Sequence, residues 1–156
     1  ESRGLGDVYK RQSRNHQRII LELSIVISNY IKNRNGSCEV NVAPFAVFLN
    51  DDNKNYVEPD ISIICDANKL DDKGCHGAPD WIIEIVSPGT QSRDYGIKLF
   101  KYRMSGVREY WIVNPERKMV NVYDFENDEA TAVYSFDDTI PVTIYPDLSI
   151  KLSKLI

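Results

Sequence analysis

Ile19, Ile20, Leu23, Val26, Ile27, Tyr30 and Ile31 recur at three- and four-residue steps. That period predicts a helix with one wide apolar face, and Asn35-Gly36 supplies its stop signal. The period then changes. Residues 38–49 are rich in Val and Phe, are interrupted by Pro44, and read as a strand. The polar run at 51–55 turns the chain into a second strand over 56–65, making a hairpin. There Val57, Pro59, Ile61, Ile63 and Cys65 alternate with Glu58, Asp60, Ser62 and Ile64, so Asp60 points away from the main apolar row.

After a loop at 69–79, the strand over 81–87 is apolar on both faces except at Glu84, the pattern of a central strand covered on both sides. A second helix is expected over 93–105, with Ser92 as its cap, Ile97, Phe100, the Lys101 stem and Met104 as its core-facing stripe, and Gly106 as its terminator. Strands at 109–113 and 119–125 follow around a turn at 114–117. Residues 130–136 and 140–144 read as a meander at the sheet edge, and 148–155 as a weak terminal piece. This order implies an α/β (α+β) domain, a mixed sheet with helices packed on it.

Residues 1–12 have no amphipathic period and resemble a translated sequencing-adapter scar. Set aside as non-native, they leave residues 13–156 as one domain, expected to lack its natural N-terminal strands. The 156 residues, 42% apolar and 27% charged, are globular values for one domain and not two. No apolar run approaches the roughly 20 residues that cross a bilayer, so a soluble, cytoplasmic protein without membrane partners is expected. The net charge of -4 excludes broad electrostatic coating of nucleic acid. Cys38, Cys65 and Cys75 are odd in number and lack paired CxxC spacing, so reduced thiols are expected, with neither a disulfide framework nor a zinc site.

Three polar residues require an explanation. Glu84 interrupts an apolar strand, where an unpaired carboxylate costs several kcal/mol, on the order of the burial penalty of a charge; it is either ion-paired structurally or functional. Asp60 follows Pro59 on a strand that can lie beside the Glu84 strand, and two converging carboxylates repel unless they share a cation. Oxygen ligands suit Mg²⁺ or Mn²⁺. Lys98 stands four residues after Asp94 and four before Tyr102 on one helix face. It is either solvated beside Asp94 or turned toward a phosphate.

Pro59-Asp60, the run Gly77-Ala78-Pro79-Asp80 leading into Glu84-Ile85-Val86-Ser87-Pro88, then Arg93-Asp94-Tyr95-Gly96-Ile97-Lys98-Leu99 and Gly106-Val107-Arg108-Glu109-Tyr110-Trp111-Ile112-Val113 together resemble the Uma2 family of restriction-endonuclease-like proteins. The resemblance runs from His16-Gln17 to about Phe125. It implies a PD-(D/E)XK nuclease core, αβββαβ with a C-terminal β meander, in which Asp60, Glu84 and Lys98 are catalytic. The sequence departs from the parent motif at Val86, where that motif carries its lysine; Lys98, from the following helix, is the matching replacement. The resemblance further implies Mg²⁺ (or Mn²⁺) held by Asp60, Glu84 and the Ile85 carbonyl, with DNA as substrate and a homodimer as the assembly.

His16 and Gln17 fit the family's first-helix pattern and are candidates for the cleft, although a lone His near a helix start is more readily structural. Tyr102 either hydrogen-bonds near the lysine or packs. Between residues 93 and 108, Arg93, Lys98, Lys101, Arg103 and Arg108 face Asp94 alone, a local basic strip in which Arg93 and Lys101 are candidate phosphate contacts. The function expected is a divalent-metal-dependent DNA endonuclease. The alternative is a binding or assembly module that keeps the fold without the chemistry.

Overall fold

The computed structural model describes residues 13–50, 54–87 and 92–156. Helix α1 (Arg14–Asn33) starts where the Ser13 hydroxyl accepts the His16 N–H at 3.0 Å. It buries His16, Ile19, Leu23, Ile27 and Ile31. It stops where Asn35 takes φ 54 and the Gly36 N–H bonds the Ile31 carbonyl at 2.9 Å. That helix agrees with the periodicity.

The central sheet runs β1 (Glu39–Val42), β3 (Ile61–Ile64), β6 (Trp81–Ile85), β7 (Glu109–Asn114), β8 (Met119–Asp124), β9 (Ala132–Ser135) from edge to edge. Within this sheet, among the described residues, only β6 and β7 pair in parallel, as expected of two strands joined by a crossover helix, here α2 (Ser92–Ser105). Because side chains alternate, Trp81, Ile83 and Ile85 join Ile61, Ile63, Trp111 and Val113 in the core under α1. Ile82 faces the other way, into a second core with Ile64, Tyr102 and Tyr110. Glu84, two residues beyond Ile82, shares that second face. No helix among the described residues is long and apolar enough to cross a membrane.

Several local expectations are corrected. The strand read over 38–49 splits at Pro44: β1 pairs with β3, whereas β2 (Val47–Phe48) joins a small sheet with β5 (Gly74–His76) and β4 (Leu70–Asp71). Those last two strands occupy what reads as a loop. Gly74 is required there, because a Cβ on it would lie 2.1 Å from the Ala46 carbonyl oxygen. The β10 strand (Ile140–Pro141) leaves the large sheet and pairs with β11 (Ser149–Ile150).

Cys38 and Cys65 are not free thiols but a disulfide. Glu39 pairs with Ile64, so the next residues outward, 38 and 65, face each other across the same two strands, a register that cysteine counting does not contain. Cys75 remains free and buried, and burial pushes its thiol up to about 11.

Helix α2 turns the opposite way from expectation. Ile97, Phe100 and Met104 are 54%, 66% and 69% exposed, and the fully buried residue is Tyr102. The inner face of this helix is polar because it covers Glu84.

Candidate active site

The antiparallel register sets Ile61 against Ile83. One step further places Asp60 opposite Glu84, at the separation where cross-strand side chains interact and like charges repel. Asp60 is fixed by the Ile85 N–H, which donates to its Oδ2 at 2.8 Å. Burial raises its carboxyl above the ordinary carboxylate range; the Ile85 N–H and His16 oppose that shift, while Glu84 adds to it. His16, at the start of α1, brings Nε2 to 2.7 Å from the Ile85 carbonyl and 3.6 Å from Asp60 Oδ2. A carbonyl only accepts, so Nε2 carries the proton in that contact. Nδ1 of the same ring is buried without a hydrogen-bond partner.

Glu84 is 5% exposed and is surrounded by donors. Lys98 Nζ donates to Oε1 at 3.1 Å and the Tyr110 hydroxyl to the same atom at 3.2 Å, while the Tyr102 hydroxyl donates to Oε2 at 2.7 Å. Lys98 and Tyr102 lie one helical turn apart on α2, which is why both reach one carboxylate. The carboxylate in turn pushes both phenol groups well above their ordinary range, burial being the larger cause in each. Tyr102→Phe leaves Oε2 without its shortest bond, so the variant is expected to lose about 1.5–3 kcal/mol, the range for hydrogen bonds to charged groups. A urea midpoint that falls at constant slope measures this loss.

Asp60, Glu84, Ile85, Lys98 and His16 line one cleft of about 160 Å³, together with Glu58 and Tyr95. Five residues singled out in the sequence thus meet in one place. Tyr102 lies behind them, bonded to Glu84. Gln17 is exposed and lines no part of the cleft. Lys101 is one turn along α2 but faces a different cavity. The Arg93 side chain, the segment 88–91 and residues 1–12 lie outside the described residues. Glu58, Tyr95 and Tyr110 were not anticipated. For Tyr110 the signal was present, a phenol within an otherwise apolar central strand, where its hydroxyl requires a partner.

Such an arrangement of two opposed carboxylates, a backbone carbonyl and an ammonium from a crossover helix can be set beside known proteins. Residues 6–153 match the Uma2 family, described as "Putative restriction endonuclease". The chain belongs to the Uma2 family. The match begins inside the stretch set aside as non-native, at residue 6. A curated relative, an uncharacterized protein of Synechocystis sp., is 26% identical over 117 residues, which are 74% of this chain and 60% of the relative; the Uma2 chain therefore spans 60% of that protein's length. The crystal structure of a "putative nuclease" of the DUF820 group from Anabaena variabilis superposes with TM-score 0.73 at 22% identity, covering 92% of this chain and 81% of that one. The shared fold is that of a restriction-endonuclease-like Uma2 domain.

Proposed function

We propose that this Uma2 protein is a divalent-metal-dependent DNA endonuclease whose reacting groups are Asp60, Glu84 and Lys98. One observation carries the reading: Lys98 Nζ, from a helix, bonds Glu84 at 3.1 Å inside a cleft shared with Asp60 and the Ile85 carbonyl. An acidic pair without a cation would suit no polyanionic substrate. The described lining holds the carboxylates of Glu58, Asp60 and Glu84 against the ammonium of Lys98, an excess of negative charge that a hard dication offsets.

Among the described residues, no group of three or more His, Cys, Asp or Glu side chains is spaced to hold a metal ion. The site would thus rest on Asp60, Glu84 and the Ile85 carbonyl, with water and phosphate completing the shell. That donor set fits Mg²⁺ or Mn²⁺, since Mg²⁺ is commonly held by one or two carboxylates plus waters and substrate phosphates. When bound, the ion supplies Lewis-acid polarisation of the phosphate and acidifies water. The chain's own groups do the rest. Tyr102 and Tyr110 fix the Glu84 carboxylate, the Ile85 N–H fixes Asp60, and the Lys98 ammonium sits where it can offset charge building on the phosphate or orient the attacking water.

A second reading, a binding module without chemistry, is favoured by a specific pair of contacts. His16 occupies the Ile85 carbonyl, and Glu84 has donors on both oxygens. The readings part on metal. Wild type is expected to nick supercoiled plasmid with Mg²⁺ or Mn²⁺ and to stop in EDTA. Calorimetric titration of Mn²⁺ is expected to find one site that Asp60→Asn weakens by about tenfold or more, as loss of a metal-site group does. No binding heat, with no EDTA-sensitive nicking, would establish the binding module instead.

A further inference from the structure

A second cavity of about 470 Å³ is lined by Val47, Leu49, Asn50, Lys54, Asn55, Tyr56, Val57 and Lys101. The same two elements bound both spaces. Along the segment before β3, Tyr56 and Val57 line the outer cavity and Glu58 and Asp60 line the cleft; along α2, Lys101 lines the outer cavity and Lys98 the cleft. Three residues of helix separate the two lysines by about 4.5 Å along the axis. Four residues of chain separate Tyr56 from Asp60 by at most about 14 Å. The two spaces thus lie along the same two elements.

The described linings differ in charge. The cleft is acidic, whereas the described lining of the outer cavity holds two lysines and no carboxylate. Tyr56 brings an aromatic ring to the described lining of the outer cavity. Tyr56 is 48% exposed and lies 5.5 Å from Phe48, whose other neighbour is the His76 ring, stacked at 5.0 Å and 7°. An exposed phenol ring lining the same cavity as an ammonium group is a stacking platform for an unpaired base. The volume is that of a small-molecule site, room for one or two nucleotides of a strand and not for a double helix.

We propose that this groove binds a short unpaired segment of DNA, Tyr56 stacking on a base and Lys101 contacting a phosphate, and so leads the strand toward the cleft. At the 3.4 Å per phosphate of a B-form strand, the distance from Tyr56 to Asp60 spans no more than about four nucleotides. The direction of the strand rests on the nuclease reading; the groove itself does not.

The test uses the full chain, a fluorescein-labelled ten-nucleotide thymidine oligomer, and fluorescence anisotropy in EDTA, where no hydrolysis runs. Tyr56→Ala is expected to weaken binding about tenfold, the scale of one stacked base. Lys101→Ala is expected to weaken it and to reduce the salt slope by about 0.7, the single-strand value for one phosphate contact. A lost contact with the fold intact moves that slope, whereas a general loss of folded protein does not. Glu84→Gln, which removes negative charge from the neighbouring cleft, is expected to leave the affinity equal or higher.

Failure of the wild type to bind the oligomer overturns the proposal, as does binding indifferent to both Tyr56→Ala and Lys101→Ala, or a preference for duplex. Those results leave metal-dependent nicking untouched. Conversely, oligomer binding that depends on Tyr56 in a protein that never nicks plasmid keeps the groove and removes the nuclease.

Discussion

The Glu84→Gln protein is expected to nick plasmid about 10²- to 10⁴-fold more slowly than wild type, the range for removing several kcal/mol of transition-state stabilisation, and yet to stay folded with nearly unchanged stability. The substitution keeps the volume and one carbonyl oxygen while removing the charge. Tyr102 and Tyr110 hydroxyls can rotate to accept from the new amide as well as donate to its oxygen. Lys98, whose side chain is 42% exposed, can hydrate its ammonium once the ion pair is gone. A buried charge is exchanged for a buried neutral group, so the stability change is expected within about 1 kcal/mol of zero. Lys98→Met is expected to slow nicking on a similar scale. If the two groups act as a unit, the double variant will be little worse than either single one. Nicking at the wild-type rate by Glu84→Gln removes the catalytic role; a stability loss of about 3–5 kcal/mol would mark the pair as a purely structural ion pair.

How far the chain could be read depended on which interactions fix each element. Helix α1 was legible because its stability comes from one apolar stripe, and periodicity reports that directly. The β6 strand was legible for a similar reason, with Glu84 conspicuous against it. Helix α2 was legible as a helix but not in its orientation. Ile97, Phe100 and Met104 make the better apolar stripe on paper, yet Lys98 and Tyr102 face inward, because a buried carboxylate attracts donors more strongly than a half-formed stripe attracts the core. Lys101, one turn on from Lys98, is exposed and lines the outer cavity, so its stem does not join the core. The meeting of Asp60 and Glu84 was legible as two carboxylates on strands able to lie side by side, whereas the Cys38–Cys65 pair follows from strand register, which depends on long-range pairing that no local pattern encodes.

The same limit hid a second buried acid. Glu109 is fully buried, more so than Glu84, but it begins β7 and reads as a strand-entry charge. Its Oε2 accepts from Trp111 Nε1 at 2.7 Å and from the Thr143 N–H at 3.1 Å, and its Oε1 accepts from the Ile144 N–H at 3.0 Å. Burial alone therefore does not separate a working carboxylate from a structural one; the partners do. Glu84 meets side-chain donors at a cleft, whereas Glu109 meets a buried indole and two backbone N–H groups and ties the chain after β10 to the central sheet.

Glu109→Ala is accordingly expected to be the most damaging single change to stability. It leaves three N–H donors without their acceptor, each costing about 1–3 kcal/mol when buried and unpaired. Even with partial relaxation a loss of about 3–5 kcal/mol is expected, a large share of the roughly 5–15 kcal/mol that holds a domain together. The urea midpoint should fall by more than about 1 M, given slopes of about 1–3 kcal/mol per M. The pH dependence gives an independent check. Burial raises the Glu109 carboxyl above its ordinary value of 4.5 against the opposing pull of its three donors, so the folded state binds the proton more tightly than the unfolded state. Its stabilising contribution is therefore complete below about pH 4.5 and is lost as pH rises through the raised folded value. Glu109→Gln cannot titrate, so the stability difference between wild type and this variant should narrow, or reverse in favour of Gln, between pH 4 and pH 7. A gap that widens with rising pH would mean that the three donors outweigh burial and hold the carboxylate below its ordinary range.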